Sequence, residues 1–271
     1  MSGLDVLVPT CDRPVELATT LAGLAAQDAE FGVVVSDQST GDPGWDTPSA
    51  RAMAAVLRER GCPVRFLRHV PRRGVAEHRA FLLDQSRARY VLFLDDDVWL
   101  APGTVTRLRT AIETLGCGLV GAAVQGLSYL DDVRPDELAP YEEWTGPPEP
   151  ERIEPGSPGW RRWTLHNAAN PAHLARRLRL RPGEWRAYKI AWVGGCVLFD
   201  RAELLASGGF GFWRDLPPRH CGEDVVAQWR VMARAGGAGI LPSGAVHLEA
   251  PTTIPDRENE ARDCVHVYRN G

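Results

Sequence analysis

Four consecutive apolar residues, Val91-Leu92-Phe93-Leu94, run directly into three aspartates, Asp95-Asp96-Asp97. A short run that is apolar at every position reads as a strand buried on both faces, as in a parallel sheet. In open α/β sheets, ligands bind in the crevice beyond the carboxyl ends of the strands. Carboxylates at that edge are oxygen ligands suited to a hard cation such as Mg2+ or Mn2+. Such a cation can neutralise a diphosphate. The competing reading is an acidic loop that caps the next helix, because Asp favours N-caps and first turns. Three adjacent carboxylates repel one another unless something positive sits between them, which favours a metal or polar-ligand site.

The surrounding pattern supports such a sheet. Residues 4–8, 31–36, 64–69, 90–94 and 118–124 read as strands, and 14–27, 48–61, 75–87 and 104–115 as helices. Asp12 is the expected cap of the first helix, Pro48 suits the first turn of the second, and Gly116 is the expected stop of the fourth. Strands alternating with helices at this spacing predict βαβ units. The periodicity fades over residues 126–189, which are rich in Pro, Gly and Arg and carry Trp144, Trp160, Trp163 and Trp185. A stretch this long is expected to serve function. We expect it to form the acceptor side of a cleft, with at least one tryptophan lining it; the alternative is that these rings pack a small subdomain core. Strand character returns at 190–200 and again at 240–241 and 245–248, around a helix from Glu223 to about Ala235. The chain therefore reads as one domain over residues 1–271, with a half at 1–125, a second half at 126–249 containing the insertion, and a polar tail at 250–271.

Composition excludes several classes. With a net charge of −4 the chain has no global attraction to nucleic acid or to an acidic membrane. Lys189 is the only lysine, so the many arginines read as compositional bias rather than as a binding patch. No apolar stretch approaches the roughly 20 residues of a transmembrane helix. The N-terminus lacks a signal-like segment, so a cytoplasmic location is expected. The cysteines are scattered without a CxxC pair, which predicts buried reduced thiols rather than zinc or disulfides.

Several motifs, taken in order, resemble the inverting GT-A glycosyltransferases of family 2. They are Val8-Pro9-Thr10-Cys11-Asp12-Arg13-Pro14, Val34-Val35-Ser36-Asp37-Gln38 and Tyr90-Val91-Leu92-Phe93-Leu94-Asp95-Asp96-Asp97. Gly194-Gly195-Cys196, Gly208-Gly209-Phe210 and Gly222-Glu223-Asp224 follow. The resemblance implies a GT-A fold: a mostly parallel central sheet flanked by helices, with an irregular acceptor-side insertion. It implies a nucleotide-sugar donor, UDP-sugar foremost, a Mn2+ or Mg2+ ion, and a small-molecule or saccharide acceptor; it leaves the oligomeric state open.

The resemblance also implies roles. Pro9, Thr10 and Arg13 would border the donor. Asp37 would contact the uracil end, with Ser36 where the family often has a second Asp and Gln38 where it has Gly. Asp95 would face the ribose, Asp97 would be the metal ligand of the DxD motif, and Asp96 would support it. Arg79, or alternatively Arg73, would hold the diphosphate, and His247 would be a further metal ligand. Asp224 would be the general base, and Glu223 would orient acceptor hydroxyls. Each has a plainer alternative: solvated arginines, a structural histidine, and acids that favour a helix N-terminus. Two other activities compete. A sugar nucleotidylyltransferase would carry a Gly-rich loop after the first strand, where this chain has Pro9-Thr10-Cys11-Asp12-Arg13-Pro14. An inactive nucleotide-sugar-binding homologue would not be expected to keep both acidic motifs.

Overall fold

The computed structural model describes residues 3–253 and 257–268. Its centre is an eight-stranded sheet. In chain order the strands are β1 (Leu4–Thr10), β2 (Gly32–Asp37), β3 (Val64–Arg68), β4 (Tyr90–Leu94), β5 (Val98–Leu100), β6 (Leu119–Gly121), β7 (Arg186–Tyr188), β8 (Cys196–Asp200), β9 (Gly237–Leu241) and β10 (Ala245–His247). The large sheet has the order β3-β2-β1-β4-β8-β6-β9-β7, and β10 and β5 pair separately.

The pairs β3–β2, β2–β1, β1–β4 and β6–β9 are parallel. Strand β8 is antiparallel to both neighbours, with Leu92 opposite Leu198 and Val120 opposite Leu198. The reason is topological. The chain leaves β6 at the carboxyl edge, lays down β7 antiparallel to β9 at the sheet's end within the insertion, and then enters β8 from the carboxyl edge.

The helices are α1 (Pro14–Ala25), α2 (Pro48–Glu59), α3 (Val75–Asp84), α4 (Thr104–Leu115), α5 (Asn170–Leu178), α6 (Arg201–Ala206), α7 (Glu223–Ala235) and α8 (Ala261–Cys264). The two-residue period of the strands sorts them into layers. Val6, Val8, Leu92 and Leu94 pack with Leu17 and Leu21 of α1, Leu57 of α2 and Leu108 of α4. Leu7, Val91 and Phe93 pack on the opposite face with Leu82 of α3, Leu204 of α6 and Trp229 of α7.

Three local expectations change. Asp12 does not cap α1. It sits at φ 55, with its amide on the Ser39 hydroxyl at 2.8 Å and its carboxylate accepting from the Thr40 amide. It ties the loop after β1 to the loop after β2. The expected insertion contains α5, β7 and short 3-10 turns, and Trp160 packs against Trp192 and Trp229 at 5.3 and 5.8 Å between ring centres.

Within the expected polar tail at 250–271, residues 257–268 pack onto the body, while 254–256 and 269–271 lie outside the described residues. Ala261 is buried, and its amide donates to the Cys221 carbonyl at 2.8 Å. The Tyr268 hydroxyl accepts from the Ile153 amide at 2.8 Å and donates to the Ile153 carbonyl at 2.7 Å.

Candidate active site

Strands β1, β2 and β4 end side by side, and their carboxyl edge opens into a cavity of about 990 Å3. Small-molecule sites fall at about 300–1,000 Å3, so this one is large enough for a nucleotide bearing a sugar. Pro9, Thr10, Arg13, Asp95, Asp96, Asp97, Glu223, Asp224 and His247 all line it.

The acidic edge is held residue by residue. The Asp95 amide donates to the Gly195 carbonyl at 2.9 Å, the Asp96 carbonyl accepts from Thr20 Oγ1 at 2.7 Å, and the Asp97 carbonyl accepts from the Leu248 amide at 2.8 Å. Gly195 lies at φ 75, and a Cβ there would meet Val124 Cγ1 at 2.8 Å. Only glycine lets that backbone approach so closely.

The side chains are ordered by two arginines. Arg13 Nη1 donates to Asp97 Oδ2 at 2.6 Å and to Asp96 Oδ1 at 3.1 Å, and Arg13 Nη2 donates to the Pro251 carbonyl. Thr10 Oγ1 donates to Asp96 Oδ2 at 2.7 Å. Burial nevertheless raises the Asp96 carboxyl to about 7, against the pull of Thr10 and Arg13. Arg79 donates from Nε to Glu223 Oε1 and from Nη2 to Asp95 Oδ1, both at 2.8 Å. Burial lowers the Arg79 pKa, but Asp95, Glu223 and Asp224 outweigh it, so the net shift is upward and the guanidinium stays charged.

Glu223 and Asp224 open α7 after Gly222, which is left-handed at φ 73. Their place in the first turn suits the helix dipole, yet their chemistry differs. Glu223 is buried against Arg79. Burial, then repulsion from Glu223, raises Asp224 to about 7, with Arg79 opposing. A carboxylate that titrates near neutrality and borders a cavity can accept a proton.

Two sequence expectations change here. Asp37 does not line the cavity: Oδ1 accepts from the Ser39 amide at 2.6 Å and Oδ2 from the Gly44 amide at 2.8 Å. It organises its own loop. Arg73 does not line the cavity, whereas Arg72 does. Arg79 borders the cavity and bridges Asp95 and Glu223. His247 Nε2 lies 3.5 Å from Asp97 Oδ2, but its Nδ1 accepts from the Glu249 amide at 2.8 Å. In the neutral ring this leaves the proton on Nε2, facing Asp97.

Residues to which the sequence reading gave no site role complete the cavity. Gln38 and Arg72 border it near Pro9 and Cys11, and Trp192, His220, Arg257 and Arg262 border it near α7 and α8. None of the four expected tryptophans lines it. Trp160 instead supports Trp192 from behind, with the Arg262 guanidinium 5.1 Å from the Trp160 ring centre. His220 Nε2 accepts from the Ala76 amide at 3.1 Å and so caps α3. Gly74, at φ 106, makes room for that imidazole: a Cβ would fall 2.4 Å from His220 Cε1. Local patterning carries little signal for such long-range partners.

The donor chemistry fits a divalent cation at one residue. Asp97 presents an oxygen ligand, and Mg2+ is usually held by one or two carboxylates together with substrate phosphates rather than by an all-protein cage. Among the described residues no three His, Cys, Asp or Glu side chains gather as a metal cluster.

The Glycosyl transferase family 2 profile matches residues 5–177. This chain belongs to that family. Succinoglycan biosynthesis protein ExoM of Rhizobium meliloti (strain 1021) is 34% identical to it over 122 residues, covering 43% of this chain and 37% of that protein. Among solved structures, S. aureus TarS 1-349 is similar with a TM-score of 0.55 at 16% identity, covering 90% of this chain and 60% of that one. Mannosyltransferase PcManGT from Pyrobaculum calidifontis, in complex with GDP-Man and Mn2+, is similar with a TM-score of 0.57 at 18% identity, covering 93% and 58%. The match thus spans less than two thirds of each of these relatives. The structural likenesses establish the fold, which is the GT-A fold of glycosyltransferases. Among the described residues no helix is long and apolar enough to cross a membrane.

Proposed function

We propose that this family 2 protein is a metal-dependent inverting glycosyltransferase. It moves a sugar from a nucleoside diphosphate donor, UDP-sugar foremost, to a hydroxyl of a small-molecule or saccharide acceptor. The observation that carries the reading is the meeting of the Asp95-Asp96-Asp97 edge with Asp224 in one cavity. Residues 1–125 supply the donor side and residues 126–249 most of the acceptor side, joined by Arg79 between Asp95 and Glu223.

In this reading Pro9, Thr10 and Gln38 border the nucleotide and Asp95 faces its ribose. An acceptor hydroxyl enters from the Trp192 side. Asp224 removes its proton as the oxygen bonds to the anomeric carbon, on the face opposite the departing diphosphate. The bond from that carbon to the diphosphate oxygen breaks, and the nucleoside diphosphate leaves with the electron pair. Arg79 holds Glu223 in place, and burial raises Asp224 to about 7, where its carboxylate can take the proton. A divalent cation, when bound at Asp97 with the donor's phosphates, supplies positive charge that stabilises the leaving group. Arg13 competes with it for Asp97.

The test is incubation with a panel of UDP- and GDP-sugars in Mn2+ or Mg2+, measuring release of the nucleoside diphosphate. Metal-dependent release with at least one donor is expected. Pyrophosphate-dependent exchange instead of release would assign nucleotidyl transfer, and binding without release under any acceptor would assign an inactive homologue.

A further inference from the structure

A second cavity, of about 810 Å3, lies towards the β9–β7 end of the sheet and shares no lining residue with the first. The first turn of α4, the end of α5, the loop 179–185 leading into β7, and Pro242 after β9 enclose it. Arg107, Arg176, Arg179 and Arg181 border it, and none of the four makes an ion pair among the described residues. Other arginines of the chain meet carboxylates, as Arg109 meets Glu113 and Arg134 meets Asp132. The two acids at this cavity are engaged otherwise. Asp28 Oδ1 accepts from Thr106 Oγ1 at 2.7 Å, and Glu184 Oε2 accepts from the Arg181 amide at 3.1 Å. Half-buried Arg107 is held by Nη2, which donates to Thr104 Oγ1 at 3.2 Å and to the Ser243 carbonyl at 3.0 Å. Burial lowers its pKa, opposed by Cys196 and by no carboxylate. The dipole of α5 favours Arg176 near its end, but Arg107 stands in the first turn of α4, where a cation is disfavoured.

Compositional bias accounts for arginine in place of lysine, but not for four uncompensated guanidinium groups around one cavity. A charge partly withdrawn from water is costly without an opposite charge beside it. Guanidinium forks match the oxygens of phosphate and carboxylate. The cavity is larger than a bare oxyanion needs and falls in the range of small-molecule sites. Trp185, half-buried, borders it and offers a flat ring. We propose that this cavity binds a saccharide bearing a phosphate or a carboxylate, with the arginines holding the anion and Trp185 packing on the sugar. The site goes beyond the donor and acceptor cavity and does not rest on its assignment.

Calorimetric titration of glucose 6-phosphate, glucuronate, glucose and inorganic phosphate tests this. The titrations use the unaltered protein, the double variant Arg179→Ala with Arg181→Ala, and Trp185→Leu. Arg179 and Arg181 are exposed, so the double variant keeps the fold. The unaltered protein is expected to bind glucose 6-phosphate, glucuronate or both, and to bind glucose about tenfold more weakly or not at all, because glucose lacks the anion. The stronger of the two anionic sugars identifies the charged group. The double variant should weaken the anionic sugars about tenfold, which also locates their binding at this cavity. Trp185→Leu should weaken the anionic sugars more than it weakens inorganic phosphate. No binding of either anionic sugar, or binding unchanged in the double variant, overturns the site. Inorganic phosphate bound as tightly as glucose 6-phosphate overturns the saccharide assignment. Neither result bears on the glycosyltransferase reading, which is tested at the other cavity.

Discussion

Asp224 and Glu223 are adjacent in sequence and on one helix turn, yet Arg79 gives them opposite characters. Its Nε is committed to Glu223, and its Nη2 to Asp95. Burial first, and then the Coulombic effect of Glu223, raise Asp224 to about 7. Two carboxyls whose environments push them apart can take separate roles as a fixed charge and a proton acceptor. The consequence for pH has a definite sign. The base must be ionised, so kcat/KM should rise with pH and level off above about 7. Stability should move the other way. The native state holds a proton on Asp224 between the unfolded value near 4 and about 7, so ionising it costs stability as pH rises through that window. Asp224→Asn should therefore raise the melting temperature at pH 8 and change it little at pH 4. A variant no more stable at pH 8 than the unaltered protein would contradict the assigned environment.

Secondary structure in the first half was legible because it is local. Strand β4 covers the expected residues 90–94, and α4 ends at the left-handed Gly116. The Asp95-Asp96-Asp97 edge was legible for the same reason: an apolar run has only one carboxyl end. What the sequence concealed depends on distant partners. Strand β5 is three residues long and exists through its pairing with β10, and β8 reverses direction because of where the insertion leaves the chain. Asp37 looked like a ligand-facing acid, but a loop folds its amides over both oxygens. Gln38, one residue on, stood in the motif only as a departure from Gly, with no role attached to it. Residues 250–271 read as a tail because the anchors of 257–268 are backbone pairings and single side chains such as Tyr268, not an apolar period. Removing the hydroxyl that bonds both polar groups of Ile153 tests that anchoring. Tyr268→Phe should cost about 1–2 kcal/mol and lower the melting temperature by roughly 2–4 °C or somewhat more for a chain of this size. A melting temperature unchanged within 0.5 °C would make the contact incidental, on the order of less than a quarter of that cost.

At the scale of the molecule, the sheet brings distant parts of the chain to one edge. In the proposed reading the ends of β1, β2 and β4 would supply the donor side, and α7, α8 and Trp192 the acceptor side of the one cavity they border. Arg79, reaching from α3 to both Asp95 and Glu223, is the physical link between them. The account requires that binding and chemistry be separable across this link: the donor side should hold nucleotide whether or not the base on α7 can take a proton. The most direct measurement compares UDP affinity and single-turnover sugar transfer in the unaltered protein and in Asp224→Asn. Affinity is expected to stay within about threefold while transfer falls by at least about 100-fold, the lower end for loss of a positioned base. Transfer within a few-fold of the unaltered protein, with affinity retained, would contradict it and place the proton acceptor elsewhere.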